Sequence, residues 1–156
     1  MDDSAVATLG AEQIRALSGL EFLQAILEGR IPPPTIGQAL DFGPVEAERG
    51  RVVFRGNPDG RFYNPIGSVH GGYAATLLDS CMGCAIHSML APGQGYTTAE
   101  IKIHYVRAMN DQTGPVTAEG RTIHVGRQMG TAEGFLRDAN GKLLAHGTTT
   151  CLIFTP

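Results

Sequence analysis

One carboxylate, Asp79, sits inside an otherwise apolar run made of Tyr73, Ala74, Ala75, Leu77 and Leu78, then Met82, Ala85 and Ile86. A carboxylate is rarely placed among such neighbours without a partner or a task. It can accept hydrogen bonds from an adjoining strand, or it can attack an electrophile or take a proton from water. Nine residues earlier stands His70, followed by Gly71 and Gly72, where a loop signal (Tyr63-Asn64-Pro65-Ile66-Gly67-Ser68-Val69) gives way to the apolar run. A helix start offers unpaired backbone N–H groups to an anion. Glycine there lets the backbone approach a ligand closely, and it equally serves to permit the turn. His70 is placed to orient Asn64, to bond a carbonyl, or only to pack.

Cys81-Met82-Gly83-Cys84, with His87 a further turn on, makes a three-residue stripe on one helix face. It lacks the fourth ligand and the second Cys pair of a zinc site, so small core residues are the expectation and no metal is assigned. No Ser-His-Asp set with a nucleophile elbow is present.

These residues need elements to hold them. Residues 71–90 are apolar almost all round and predict one long buried helix, broken by Ala91-Pro92-Gly93-Gln94-Gly95. From Tyr96 onward the period is that of strands: residues 98–106, 116–125, 128–137 and 142–154, the last two joined by Asp138-Ala139-Asn140-Gly141 with Asn-Gly at its centre. Upstream, residues 35–48 and 51–55 predict two strands with a hairpin at Glu48-Arg49-Gly50, and Asn57-Pro58-Asp59-Gly60 predicts a turn. The N-terminus predicts helix. Ser18 and Glu21 fit a capping box, Leu20, Leu23, Ile26 and Leu27 keep helical spacing, Gly29 caps, and Pro32-Pro33-Pro34 ends it. That helix either packs only or borders a ligand pocket. A helix apolar on most faces must be wrapped, and a curved antiparallel sheet is what this chain has to wrap it with. The edges of such a sheet favour pairing with a second copy. The expected class is α+β, with residues 1–34 as an N-terminal helical extension and 35–156 as the main domain.

At 156 residues, 42% hydrophobic, the chain suits one domain with a sizeable core. The net charge of -3 without a Lys/Arg block argues against nucleic acid. The acidic start, Met1-Asp2-Asp3, has no signal-peptide pattern, and no apolar run approaches the roughly 20 residues of a membrane span. Three cysteines argue against a disulfide framework. A cytoplasmic location is the default expectation.

Asn64-Pro65-x-Gly67-x-Val69-His70-Gly71-Gly72 with Asp79 resembles the hotdog-fold acyl-CoA thioesterases, in particular the phenylacetate-degradation (PaaI-like) group. The resemblance continues through residues 97–107, Gly126-Arg127 with Glu133-Gly134, and residues 138–148, spanning roughly 35–154. Ala108-Met109 departs from it, where the family often has proline; a strand end is expected to feel that. The resemblance implies hydrolysis of an acyl-CoA to a free acid and CoA, with CoA as part of the substrate and no cofactor. Asp79 would be nucleophile or general base, and Gly71 N–H would donate to the thioester oxygen. Asn64 would hold the carbonyl or the water, with His70 beside it, and the hydroxyl of Thr97 or Thr98 would lie near the carboxylate. Gly72 and Thr76 are candidates for contacting substrate; Arg127, Arg121 and Lys102 are candidates for the CoA phosphates. A non-catalytic acyl-CoA sensing module and a 3-hydroxyacyl thioester dehydratase share this fold and are the alternatives.

The implied chemistry carries a geometric consequence. Gly71 and Asp79 are eight residues apart, about 12 Å along a helix, so both cannot touch one carbonyl at ~3 Å. If both act, they come from different subunits, and a homodimer, or a dimer of dimers, follows.

Overall fold

The alternating segments form strands in the computed structural model, which describes residues 8–156; the acidic start at Met1–Asp3 lies outside the described residues. The elements run α1 (Ala11–Arg15), α2 (Gly19–Leu27), α3 (Thr35–Leu40), β1 (Phe42–Glu48), β2 (Arg51–Gly56), α4 (Gly71–His87), β3 (Gly95–Tyr105), β4 (Val116–Val125), β5 (Met129–Asp138) and β6 (Leu143–Phe154). The six strands make one curved antiparallel sheet in the order β1-β2-β4-β5-β6-β3, wrapped around α4: the hotdog fold. Strands β1 and β3 are its edges.

The core lies between α4 and the concave face of the sheet. Leu77, Leu78, Met82 and Ile86 are fully buried against Val52, Val116, Ala118, Ala132 and Leu136. The helix sits close because glycine stands where it crosses the sheet: a Cβ on Gly120 would overlap the Cys81 carbonyl. The same economy of volume applies at Gly83, where a Cβ would lie 2.8 Å from the Tyr96 ring, so Tyr96 packs directly on the helix.

Helix α2 starts as its residues predict. Ser18 N–H donates to Glu21 Oε2 at 2.8 Å, and Glu21 N–H donates to Ser18 Oγ at 3.3 Å. Gly29, at φ +74°, takes the left-handed conformation just past the helix end. Gly19 N–H donates to the Leu90 carbonyl at 3.0 Å, fastening α2 to the turn after α4.

Two expectations are corrected. Residues 35–40 are helix, not the beginning of a strand; Pro34 precedes the turn and Asp41, at φ 53°, ends it. Six residues are too few for a helical period to separate from a strand pattern. The central helix stops at His87, and Ser88–Leu90 leave it as a turn in which Leu90 N–H donates to the His87 carbonyl at 2.9 Å. No helix among the described residues is long and apolar enough to cross a membrane.

Candidate active site

The first half of the site is the start of α4. His70 is the N-cap: its Nδ1 accepts from Gly72 N–H at 2.8 Å, so a single ring proton sits on Nε2. That bond occupies Gly72 and leaves the neighbouring Gly71 N–H without an acceptor among the described residues. The Asn64 amide organises the loop ahead of it. Oδ1 accepts from Ile66 N–H at 3.1 Å and Ser68 N–H at 3.3 Å, while Nδ2 donates to Ser68 Oγ at 3.0 Å. One Asn64 N–H is left over for a ligand. Thr76 Oγ donates back to the Gly72 carbonyl at 2.8 Å. A shallow cavity of about 280 Å³ opens beside Gly71, bordered by Tyr105, Arg107 and Met109.

The second half is Asp79, two turns further on. The bond from Thr98 Oγ1 to its Oδ1, at 2.9 Å, fixes the carboxylate against β3. Of the two threonines, alternation lets only one face α4: Thr98 pairs with buried Cys151, whereas Thr97 pairs with exposed Leu152 on the other side of the sheet. Asp79 and Ser80 border a cavity of about 190 Å³ whose other walls include Phe42, Phe54 and Tyr96.

Burial pushes the Cys84 thiol up to about 12, and it raises the Cys81 and Cys151 thiols as well. Raised in this way, the three thiols stay protonated and are poor nucleophiles. No three His, Cys, Asp or Glu side chains among the described residues gather in a way that would hold a metal.

The cationic candidates are dispersed. Arg121 Nε donates to Glu119 Oε1 at 2.6 Å and lies on the sheet face opposite α4, since its neighbour Gly120 is the residue facing the helix. Lys102 is exposed on β3 opposite Thr148, and Arg127 is exposed between β4 and β5. Arg107, which motif reasoning passed over, is the one arginine bordering the Gly71 cavity. Tyr96 was also missed, although it shares the inward face with Thr98 two residues on.

Residues 66–145 match the family model of the thioesterase superfamily. A protein of Saccharolobus solfataricus that carries an esterase name is 30% identical over 104 residues, 67% of this chain and 72% of its own. The 1,4-dihydroxy-2-naphthoyl-CoA hydrolase of Listeria monocytogenes is 25% identical over 109 residues, 70% of this chain and 87% of that one. The solved structure of the Escherichia coli PaaI protein from the phenylacetic acid degradation operon shares the fold, with a TM-score of 0.75 at 19% identity over 89% of this chain and 95% of that one. The chain belongs to the thioesterase superfamily. It is a thioester hydrolase built on the hotdog fold of the PaaI-like proteins.

Proposed function

We propose that this protein hydrolyses an acyl-CoA thioester to a carboxylic acid and CoA, at a site completed by a second copy of the chain. The observation that carries the reading is a carboxylate and an unpaired backbone donor on one helix. Asp79 is held by Thr98 at the mouth of a cavity, and Gly71 N–H is free at the helix start.

In the reaction, negative charge develops on the thioester oxygen, and Gly71 N–H receives it. One such fixed donor is worth roughly 3–4 kcal/mol in acyl transfer. Asp79 either attacks the carbonyl carbon, giving an anhydride that water opens, or takes the proton of an attacking water. Both routes expel the CoA thiolate and need no further cofactor. Asn64 and His70 hold the loop and the N-cap that keep Gly71 in place, with the free Asn64 N–H turned to the carbonyl or water. Gly72 and Thr76 shape the first turn against the substrate, and Arg107, which borders the Gly71 cavity, and exposed Arg127 are the cations assigned to the CoA phosphates.

The spacing supports the second copy. The helix does start at Gly71, so its N–H lies about 12 Å from Asp79 along one α4. Edge strand β3 exposes Ile101 and ends at exposed Tyr105, which with the following Val106 borders the Gly71 cavity. An apolar open edge of this kind calls for a partner strand. A twofold pairing there sets Gly71 of one chain against Asp79 of the other. A dimer of dimers has its own apolar patch, Met129, Leu152 and Phe154 on the outer face.

Thiol release from aromatic and aliphatic acyl-CoAs tests the reading. Release that vanishes in Asp79→Ala is the expected result. Binding of every ester without release would transfer the fold to a sensing role, and loss of a 3-hydroxyacyl ester without thiol release would mark a dehydratase.

A further inference from the structure

The 190 Å³ cavity beside Asp79 does not end there. Pro34, Pro44, Phe54, Cys84 and Tyr96 line it and also line an adjoining, larger cavity of about 480 Å³. That larger space is bordered by Phe22 and Ile26 of α2, by His87 at the end of α4, and further out by Ile14 and Arg15 of α1 and by Gln94.

We propose that the joined cavities receive the acyl group and that α2 is their end wall, with Phe22 and His87 setting the longest acyl group the enzyme accepts. The inference rests on the hydrolase role of Asp79. From Asp79 to His87 is eight residues, about 12 Å of helix. That is the length of an extended chain of roughly ten carbons at ordinary C–C geometry. The substrate class is therefore an apolar acyl group of medium length or a ring system of similar reach.

Three observations make the wall firm. Phe22 meets the His87 ring edge-on, with centroids 5.4 Å apart and planes at 89°, and His87 lies 5.6 Å from the Tyr96 ring. A Cβ on Gly19 would overlap the His87 carbonyl, so α2 sits directly on the end of α4. The capping box at Ser18 and the Gly19–Leu90 bond fix where α2 begins. The wall is also suited to an apolar guest: the thiol of Cys84 is uncharged, and burial favours the uncharged form of His87. Helix α2 (Gly19–Leu27) precedes residues 66–145, the part matching the superfamily model.

The test is thiol release from saturated acyl-CoAs, butanoyl to hexadecanoyl, by the native protein, Phe22→Ala and Phe22→Trp. A parallel series ends in a phenyl ring, and the limit is read in whichever series is turned over. The expected result is a fall in kcat/KM of at least about tenfold beyond the limiting length. Phe22→Ala moves that limit to longer esters and Phe22→Trp to shorter ones. Native protein that turns over hexadecanoyl-CoA as well as octanoyl-CoA overturns the end wall without any variant. Folded variants, verified by circular dichroism, that keep the native length profile also overturn it. No Asp79-dependent release from either series overturns the hydrolase reading itself, and the end wall with it.

Discussion

At its first turn α4 is open: Gly71 N–H has no acceptor among the described residues, and Tyr105 beside it is 59% exposed. Eight residues later the same helix is closed in. Asp79 stands at the mouth of an apolar cavity, bonded to Thr98, with aromatic side chains beyond it. One end can stabilise charge on an oxygen and the other can deliver a carboxylate, but neither does the other's work. On the proposed chemistry, a single chain would hold two unlike half-sites at the separation of a rigid helix, and the reaction would ask for two chains.

The largest effect is expected at the closed end. Asp79→Ala should lower kcat by about 10²–10⁴-fold or more while size-exclusion chromatography still shows the native oligomer. Activity near the native level would remove Asp79 from the mechanism and leave the cavity as packing alone.

The open end follows. Proline is tolerated at the first position of a helix and lacks the N–H, so Gly71→Pro deletes the proposed donor. A loss of about 10²–10³ in kcat is expected. Gly71→Ala is the control: it keeps the N–H and adds a Cβ 3.2 Å from the Tyr105 ring. Equal losses in both variants would mean crowding rather than a missing donor. Mixed dimers sharpen the comparison. One chain carrying Asp79→Ala and one carrying Gly71→Pro leave one complete site of two, so about half the native activity per dimer should return. Verified heterodimers without recovery would place both groups of a site in one chain.

Between the two ends lies Thr98. Thr98→Val removes the bond to the carboxylate, a charge-assisted interaction worth about 1.5–3 kcal/mol, and should lower kcat by roughly tenfold or more. A native rate would show that Asp79 is positioned by its cavity walls instead.

How far these two ends were legible in the sequence differs for a physical reason. The open end is local: His70, Gly71 and Gly72 are consecutive, and cap and helix start can be inferred from their types alone. Strands β4 to β6 are legible the same way, through period-two alternation and the Asn-Gly turn. The closed end is assembled from distant segments. Phe22, Pro34, Phe54, His87 and Tyr96 meet only once the sheet has curled around α4, so His87 was visible only as part of a cysteine stripe and α2 stayed open between packing and bordering a pocket. Thr97 and Thr98 could not be separated either, because a bulge between Thr98 and Glu100 shifts the register of β3 just beyond them. Residues 35–40 show the converse limit: a helix too short to carry a period is set by Pro34 and Asp41 at its ends.

Smaller effects bear on the closed end's wall. Ser18→Ala removes the cap of α2 and should cost about 1 kcal/mol, read as a lower Tm, without altering the Gly71 half-site.

The smallest expected effect separates the ends by pH. Burial lowers the pKa of His87 from its usual 6.5. As pH falls through about 6.5, the unfolded chain protonates this ring while the folded protein does not, so the unfolded state binds more protons and stability declines. Above that pH both states are uncharged and the effect is absent. The carboxylates held low by hydrogen bonds, Glu21 to Ser18 and Asp59 to Arg61, act only nearer the ordinary carboxylate range and leave this window clear. His87→Leu should therefore flatten the fall in Tm between pH 7 and about pH 5. A slope in Tm that His87→Leu leaves unchanged would place the titrating group elsewhere in the chain.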